Sequence, residues 1–312
     1  MIRALTFLGR HASTVMVSAV FIGLAVQPLA AASKPLLLPG VWALLTMSMM
    51  RLEGRAFFAV FQKPLRMGSA LVWMLGITPV LMWGIVTLFP LSDPITAALV
   101  LTAGSSSLMS TPAIGLILGL DAAFILALLV AATLILPFTL PIVAVALLGL
   151  PLEISVFDLT LRLAALVGSA GLAAMGLRWV IGAKRLERAT PALDGVAVVL
   201  LLLFAIPLMD GITARLFAEP GYMLFLTGLS FAVYIGQMLL SALVFSVLWR
   251  DRHAALSAGL AVGCRNLAIL IAVLAGAADR EIITYFALAQ FPIYIMPSVM
   301  KVIFARSLRA ST

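Results

Sequence analysis

The residue with the clearest chemical potential is an arginine placed far from any other charge. Arg265 lies in a long apolar stretch, and its nearest charged neighbours in sequence are Arg252 and Asp279. Along a helix these lie roughly 20 Å away on either side. A charge at that depth in a bilayer is costly unless it is paired. We predict that Arg265 recognises an anion, because a guanidinium binds carboxylate or sulfonate with two parallel hydrogen bonds. The alternative is a structural arginine bound by backbone carbonyls of an opposing broken helix.

A cluster of hydroxyl side chains in an earlier apolar stretch could supply more hydrogen-bond donors. A lone hydroxyl in a membrane helix usually bonds its own backbone, but this cluster is dense and is bounded by Gly104 and Pro112. Next to Arg265, the amide of Asn266 adds another donor. The predicted substrate-binding residues are Arg265, Asn266, Ser105, Ser106, Ser107, Ser110 and Thr111.

Acidic residues are missing from the middle of the apolar stretches. All 12 Asp and Glu residues lie at or near the ends of these stretches, so no carboxylate is placed to neutralise Arg265, to carry a proton or to bind sodium. Cys264 is the single cysteine, and His11 and His253 are the two histidines, which gives no metal-binding motif. The serines have no nearby base to activate them. We therefore predict no cofactor, no metal and no enzymatic activity.

The elements that position these residues are predicted to be transmembrane helices. Of the 312 residues, 64% are hydrophobic and 10% are charged, against roughly 25% charged in a soluble domain. Apolar stretches of about 20 residues, long enough to cross a bilayer, recur along the chain. We predict an all-α membrane protein with ten spans at 13–31, 36–50, 67–89, 94–117, 121–149, 157–178, 191–209, 222–248, 254–277 and 282–304.

The basic residues indicate how these spans are oriented. The net charge of +8 could suggest a nucleic-acid partner, but the basic residues lie between the spans. The side with both termini has Arg3, Arg10, Arg51, Arg55, Lys63, Arg66, Arg178, Lys184, Arg185, Arg188, Arg250, Arg252, Lys301, Arg306 and Arg309. The opposite side has Lys34, Arg215 and Arg280. By the positive-inside rule, both termini are cytoplasmic, in the inner membrane of a bacterium, and the partner is the lipid bilayer and not nucleic acid.

The first span has a second interpretation. Arg3 and Arg10 precede an apolar run that ends in small residues over 29–33, a pattern also typical of a secretory signal peptide. The alternation of basic residues requires this span to be retained, which favours a mature first helix.

Ten spans divide into two halves of five, so the second half would be inverted relative to the first. Inverted repeats are a frequent construction of secondary transporters, and their sites lie at interrupted helices. The fourth span contains Gly104 and Pro112, and the ninth contains Gly259 and Gly263, residues that weaken helix continuity. We predict that both helices are discontinuous and cross near mid-membrane. The alternative is that these small residues only let helices pack closely.

Several segments resemble the bile acid:sodium symporter family, within the bile/arsenite/riboflavin transporter superfamily. The resemblance covers nearly the whole chain and is most specific at 104–121 and 262–266; it also includes Gln27–Pro28 and 47–66. It implies one transporter unit over 1–312. A panel domain would cover about 1–66 and 157–209, and a core domain about 67–149 and 222–304.

The sequence departs from this family at its sodium sites. Where the family typically has a glutamate and a glutamine in the ninth span, this chain has Ala261 and Arg265. The asparagine of the fourth span is lost, at Thr111, and the glutamine of the third span falls on Met74. The carboxylate is thus removed and a guanidinium lies where a cation would bind, which should abolish sodium binding by repulsion. The resemblance therefore implies a member with degenerate sodium sites, in which Arg265 replaces the sodium charge.

These observations predict a sodium-independent transporter of an organic anion, such as a carboxylate, a sulfonate or a bile-acid-like steroid. It would work by alternating access at the crossing of helices four and nine, as a monomer or homodimer. The alternatives are a sodium-coupled bile-acid-type symporter and an arsenite-type efflux carrier. The latter normally has a cysteine in the fourth span and an acid in the ninth, and this chain has neither.

Overall fold

A computed structural model describes residues 7, 12–50, 64–149, 155–274, 277–296 and 299. These residues form helices and turns and no β-strand, apart from one isolated pair at Ser107 and Arg265. The helices are α1 (Ala12–Ala25), α2 (Gln27–Ser33), α3 (Leu37–Met50), α4 (Pro64–Val72), α5 (Thr78–Val86), α6 (Asp93–Gly104), α7 (Thr111–Ile117), α8 (Ala122–Leu148), α9 (Val156–Ile181), α10 (Ala183–Leu208), α11 (Ile212–Ala218), α12 (Pro220–Trp249), α13 (Arg252–Gly263), α14 (Leu267–Leu274) and α15 (Arg280–Leu288).

Short irregular turns join some of these helices. A 3₁₀ turn, Lys34–Leu36, lies between α2 and α3, and a π-helical turn, Trp73–Ile77, lies between α4 and α5. Several predicted features lie outside the described residues: most of the 47–66 segment, and the basic residues Arg3, Arg10, Arg51, Arg55, Lys63, Lys301, Arg306 and Arg309.

Among the residues that the structure describes, five helices are long and apolar enough to cross a membrane. They are Gln27–Met50, Pro64–Val86, Ala122–Leu148, Val156–Ile181 and Pro220–Trp249. A sixth would be the pair Lys184–Thr190 and Ala192–Leu208, whose halves meet at 63°. Large apolar side chains point outward from these helices: Trp179 is 86% exposed and Phe138 63%. Such a surface is compatible with a multi-pass membrane protein, whose outside meets lipid.

The amino-terminal boundary differs from the prediction. The predicted spans 13–31 and 36–50 place the interruption near residue 33, but it lies at Val26, whose φ of −117° and ψ of 72° are not helical. Gln27–Met50 is one 24-residue helix. The side-chain amide of Gln27 donates to carbonyls that the interruption leaves free, at 2.9 and 3.2 Å. That bonding stabilises the break at this earlier position.

Both predicted interruptions in the later helices are present. Helix α6 ends at Gly104, because Ser105 is extended with φ −78° and ψ 164°, and α7 begins at Thr111. Pro112 lies in the first turn of α7, where its missing N–H would have no intrahelical partner in any case. The second interruption separates α13 from α14 at residues 264–266. Every residue of α14 is buried, so this helix lies inside the bundle.

Glycines let α12 and α13 pack closely. A Cβ on Gly259 would lie 2.7 Å from the Cβ of Ala242, and one on Gly263 would lie 2.5 Å from the Cβ of Met238. The two glycines are four residues apart and therefore share a helix face. These glycines therefore allow close helix packing, which was the alternative explanation for them in the sequence. Gly263 is also the last residue before the helix interruption.

Candidate functional site

The two interrupted helices pair with each other through their backbones. The N–H of Leu108 donates to the Cys264 carbonyl at 2.7 Å, and the N–H of Asn266 donates to the Ser106 carbonyl at 2.8 Å. This short antiparallel pairing is centred on Ser107 and Arg265. It satisfies backbone groups that lose their helical partners at the interruptions. We call residues 104–111 and 263–267 the crossing.

Arg265 is buried in the crossing and bonded to neutral oxygens. Its side chain makes four hydrogen bonds: Nε to Gln237 Oε1 at 2.9 Å, Nη1 to the carbonyls of Ser105 at 2.6 Å and Met74 at 3.1 Å, and Nη2 to Thr78 Oγ1 at 2.7 Å. The residue is 2% exposed. No acidic side chain forms an ion pair with it in the described part of the chain. Of the four acceptors, the Ser105 carbonyl belongs to the opposing interrupted helix, as in the structural alternative that the sequence left open, and the other three do not.

The π-helical turn and the residue that follows it provide two of these oxygens. Met74 lies inside the turn, and its carbonyl accepts from Arg265 while its apolar side chain is fully buried. Thr78 follows the turn and precedes Pro79, whose missing N–H disturbs the helical bonding pattern. Sequence analysis noted Met74 only as an apolar side chain and missed Thr78. The Thr-Pro pair inside an apolar stretch was the available signal.

The predicted hydroxyl cluster is brought to the crossing, but its bonds stay within the protein. Ser105 Oγ donates to the Thr102 carbonyl at 2.9 Å, and Ser106 Oγ accepts from Thr133 at 3.1 Å. Ser107 Oγ lies 3.5 Å from the Cys264 carbonyl. Ser110 is half-buried, at the start of α7, and Thr111 is fully buried. These hydroxyls lie in the crossing, and their role in substrate binding stays a prediction.

Five buried side-chain atoms of the crossing and its surroundings have no hydrogen-bond partner among the residues that the structure describes. They are both amide atoms of Asn266, Nε2 of Gln237 and the hydroxyl oxygens of Thr111 and Tyr285. A buried polar group without a partner costs about 1–3 kcal/mol, so each is a candidate to meet a bound species. Gln237 and Tyr285, together with Arg265, line a cavity of about 20 Å³. That cavity is too small for an organic anion, so Arg265 cannot contact such a substrate in this conformation.

A second cavity, of about 680 Å³, has the size of ligand pockets. We call it the basic cavity, because it is lined by Lys34, Arg215 and Arg280, with apolar walls from α3, α10, α11, α14 and α15 and the turn between α2 and α3. Sequence analysis placed these three basic residues on one side of the membrane but did not group them into a site. Residues far apart in sequence form this cavity, and loop charge counts carry no information on their distances.

The charges of the basic cavity are only partly balanced. Lys34 forms an ion pair with Asp210, and Arg215 bonds Glu281 at 2.6 Å and Glu219 at 3.3 Å. Burial lowers the pKa of Arg215, but the hydrogen bond and charge of Glu281 outweigh this and raise it above its ordinary value. In the described part of the chain, Arg280 has no hydrogen-bond or ion-pair partner for its guanidinium. It is the cation of this cavity that is free to bind an anion.

No protein-family model matches the chain, and no curated protein matches it. The resemblance to bile acid:sodium symporters stays a prediction.

Proposed function

We propose that the protein is a sodium-independent secondary transporter of an amphipathic organic anion. The observation that carries this proposal is the connection of the crossing to the basic cavity through one helix. Helix α14 starts directly after Arg265 and Asn266, and its residues Ile271 and Ala272 form part of the cavity wall. A movement of the crossing would therefore move a wall of the cavity.

The lining of the basic cavity favours an anion with an apolar body. Side chains such as Leu38, Leu208 and Ile283 form most of its walls, and the free guanidinium of Arg280 stands at the same cavity. A guanidinium forms two parallel hydrogen bonds to carboxylate or sulfonate, while apolar walls take up a hydrocarbon skeleton. Carboxylates, sulfonates and bile-acid-like steroids combine both features.

Arg265 supports independence from sodium. The oxygens of Met74, Ser105, Thr78 and Gln237 that face it would otherwise form a cation site. The guanidinium occupies these oxygens and adds a fixed positive charge, which repels sodium. The sodium-coupled alternative is disfavoured for this reason. Direct contact between Arg265 and the transported anion would require another conformation, in which the small cavity opens.

The wider architecture belongs to the same proposal. Ten spans, arranged as two inverted repeats, would place α6–α7 and α13–α14 as the crossing helices four and nine. The core domain would move against the panel domain, in an inner membrane with cytoplasmic termini. Carriers with interrupted helices often alternate access this way, and no enzymatic step is involved.

Uptake into proteoliposomes tests the function. The purified protein is reconstituted, and uptake of labelled carboxylates, aryl sulfonates and steroid conjugates is compared under a sodium gradient and an equal potassium gradient. We expect uptake at equal rates in both, and none in protein-free liposomes. A strict sodium requirement would overturn sodium independence, and absence of uptake across all three classes would overturn the transport proposal. Full transport by Arg265→Ala would show that Arg265 has no role in it.

A further inference from the structure

The small cavity beside Arg265 is built from buried residues of four parts of the chain. It is lined by Thr102 of α6, Gln237 of α12, Arg265 of the crossing and Tyr285 of α15, together with the hydroxyl residues Ser230 and Tyr234 of α12 and with apolar neighbours. These six residues are each at most 7% exposed. The volume of about 20 Å³ exceeds the ~10–15 Å³ that one buried water needs. It holds one small particle and no polyatomic organic group.

Residues that line this cavity carry three unused hydrogen-bond donors. The guanidinium carries five N–H groups, and four hydrogen bonds from it go to protein oxygens. One N–H on Nη2 is left over. Nε2 of Gln237 and the hydroxyl of Tyr285 have no protein partner either. Amide and guanidinium nitrogens cannot accept a hydrogen bond, so a species that only accepts fits them best.

The charge of the site favours an anion over water. Arg265 carries a positive charge that no acidic side chain balances in the described ranges, and an uncompensated buried charge is strongly destabilising. A water molecule would bond the donors but would leave this charge in place. A monatomic anion satisfies the donors and also neutralises the guanidinium.

We propose that this cavity is a halide site, occupied by chloride that is held by Arg265, Gln237 and Tyr285. The site is structural: the halide pairs with the fixed charge and stabilises the crossing. It does not depend on the proposed transport function, because it is defined by binding to the resting protein. Absence of uptake would therefore not contradict the halide site, and absence of halide binding would not contradict the transport function.

Binding is measured on the purified full-length protein in detergent, without any organic substrate. The sodium concentration and ionic strength are held constant while gluconate is replaced by chloride or bromide. We expect saturable binding of radiolabelled chloride in equilibrium dialysis, with competition by bromide. The apparent unfolding temperature should rise by about 2 °C at ten times the dissociation constant.

Tyr285→Phe isolates the site, since it removes one donor hydroxyl that has no protein partner and keeps the buried ring. We expect chloride affinity to fall about tenfold, the loss of one charge-assisted hydrogen bond, with a stability in gluconate that is equal to or higher than that of the unmodified chain. Tyr294→Phe is the matched control, because Tyr294 is also buried but does not line the cavity; its chloride affinity should equal that of the unmodified chain. No halide-specific binding, or equal affinity in Tyr285→Phe, would overturn the proposal and leave a water molecule in the cavity.

Discussion

The guanidinium of Arg265 donates to the backbone carbonyl of Ser105 at 2.6 Å, although the two residues are 160 positions apart. This bond joins the interruption of one helix to that of another. Ser105 is the residue directly after the C-terminus of α6, where free carbonyls carry partial negative charge. The cation of Arg265 therefore lies at the negative end of this helix and links it to the second interruption.

The first prediction concerns Thr78, which accepts from Arg265. Thr78→Val keeps the shape of the side chain but removes the oxygen, so one N–H of a buried guanidinium loses its partner. We expect a loss of about 1–3 kcal/mol in unfolding free energy, measured as a lower apparent unfolding temperature in detergent.

Thr160→Val is the matched control, because Thr160 bonds only its own helix among the described residues, at the Val156 carbonyl. It should change stability by no more than about 0.5 kcal/mol. Equal effects of the two substitutions would show that Thr78 does not support Arg265.

The second prediction concerns close packing next to the crossing. In Gly263→Ala, the new methyl group would lie 2.5 Å from Met238 Cβ and 3.0 Å from its Cα. Because the backbone of α12 would have to shift, we expect a destabilisation of about 1–3 kcal/mol. Gly236→Ala is the control: Gly236 lies on α12 itself, and a Cβ there would have no neighbouring atom within 4 Å. This substitution should be neutral or stabilising by up to ~1 kcal/mol. The apparent unfolding temperatures of the two variants are compared in detergent. Equal values would contradict the role of close packing at Gly263.

The third prediction concerns the free cation of the basic cavity. Arg280→Gln should raise the KM for anion uptake about tenfold, the value of one charge-assisted hydrogen bond, while maximal uptake changes less. Arg280→Lys keeps the positive charge but cannot form bidentate hydrogen bonds to the anion, so we expect a KM between those of the unmodified protein and Arg280→Gln. Arg252→Gln removes the same charge outside the cavity and should keep the original KM. If Arg252→Gln raised the KM as much as Arg280→Gln does, the change in KM would come from the net charge of the protein and not from the cavity.

The fourth prediction concerns pH and the start of α13. Asp251 accepts from the Ala254 N–H at 3.1 Å and from Arg66 at 2.8 Å, and the backbone bond and then Arg66 lower its pKa. The folded value thus lies below the unfolded value of about 3.9. This stabilisation is present above pH ~3.9 and is lost as the pH falls through the folded pKa.

The apparent unfolding temperature of the unmodified protein should therefore drop across this acidic window, and the drop should be smaller in Asp251→Asn. Asp158→Asn is the control, since Asp158 bonds a hydroxyl, that of Ser155, and forms no ion pair in the ranges that the structure describes. Its acid response should match that of the unmodified chain. Identical curves for Asp251→Asn and the unmodified chain would refute the assignment.

Sequence analysis anticipated the crossing because its causes are local. Gly104, Pro112 and Gly263 stand at or beside the interruptions, and their effects on helix continuity depend on single residues. The interruption at Val26 was predicted about seven residues too late, since its stabilisation comes from the side chain of Gln27, which has no fixed pattern in sequence. Ten spans and inverted repeats stay predictions.

The sequence by itself determined that this chain folds into apolar helices, that two of them are interrupted, and that Arg265 has no charged neighbour along the chain. These properties follow from hydropathy and from the backbone preferences of glycine and proline. Only the tertiary structure decided what surrounds Arg265 and which basic residues share a cavity. Its partners include backbone carbonyls, which every residue carries and no side-chain pattern marks. Lys34, Arg215 and Arg280 meet only because helices distant in sequence pack together.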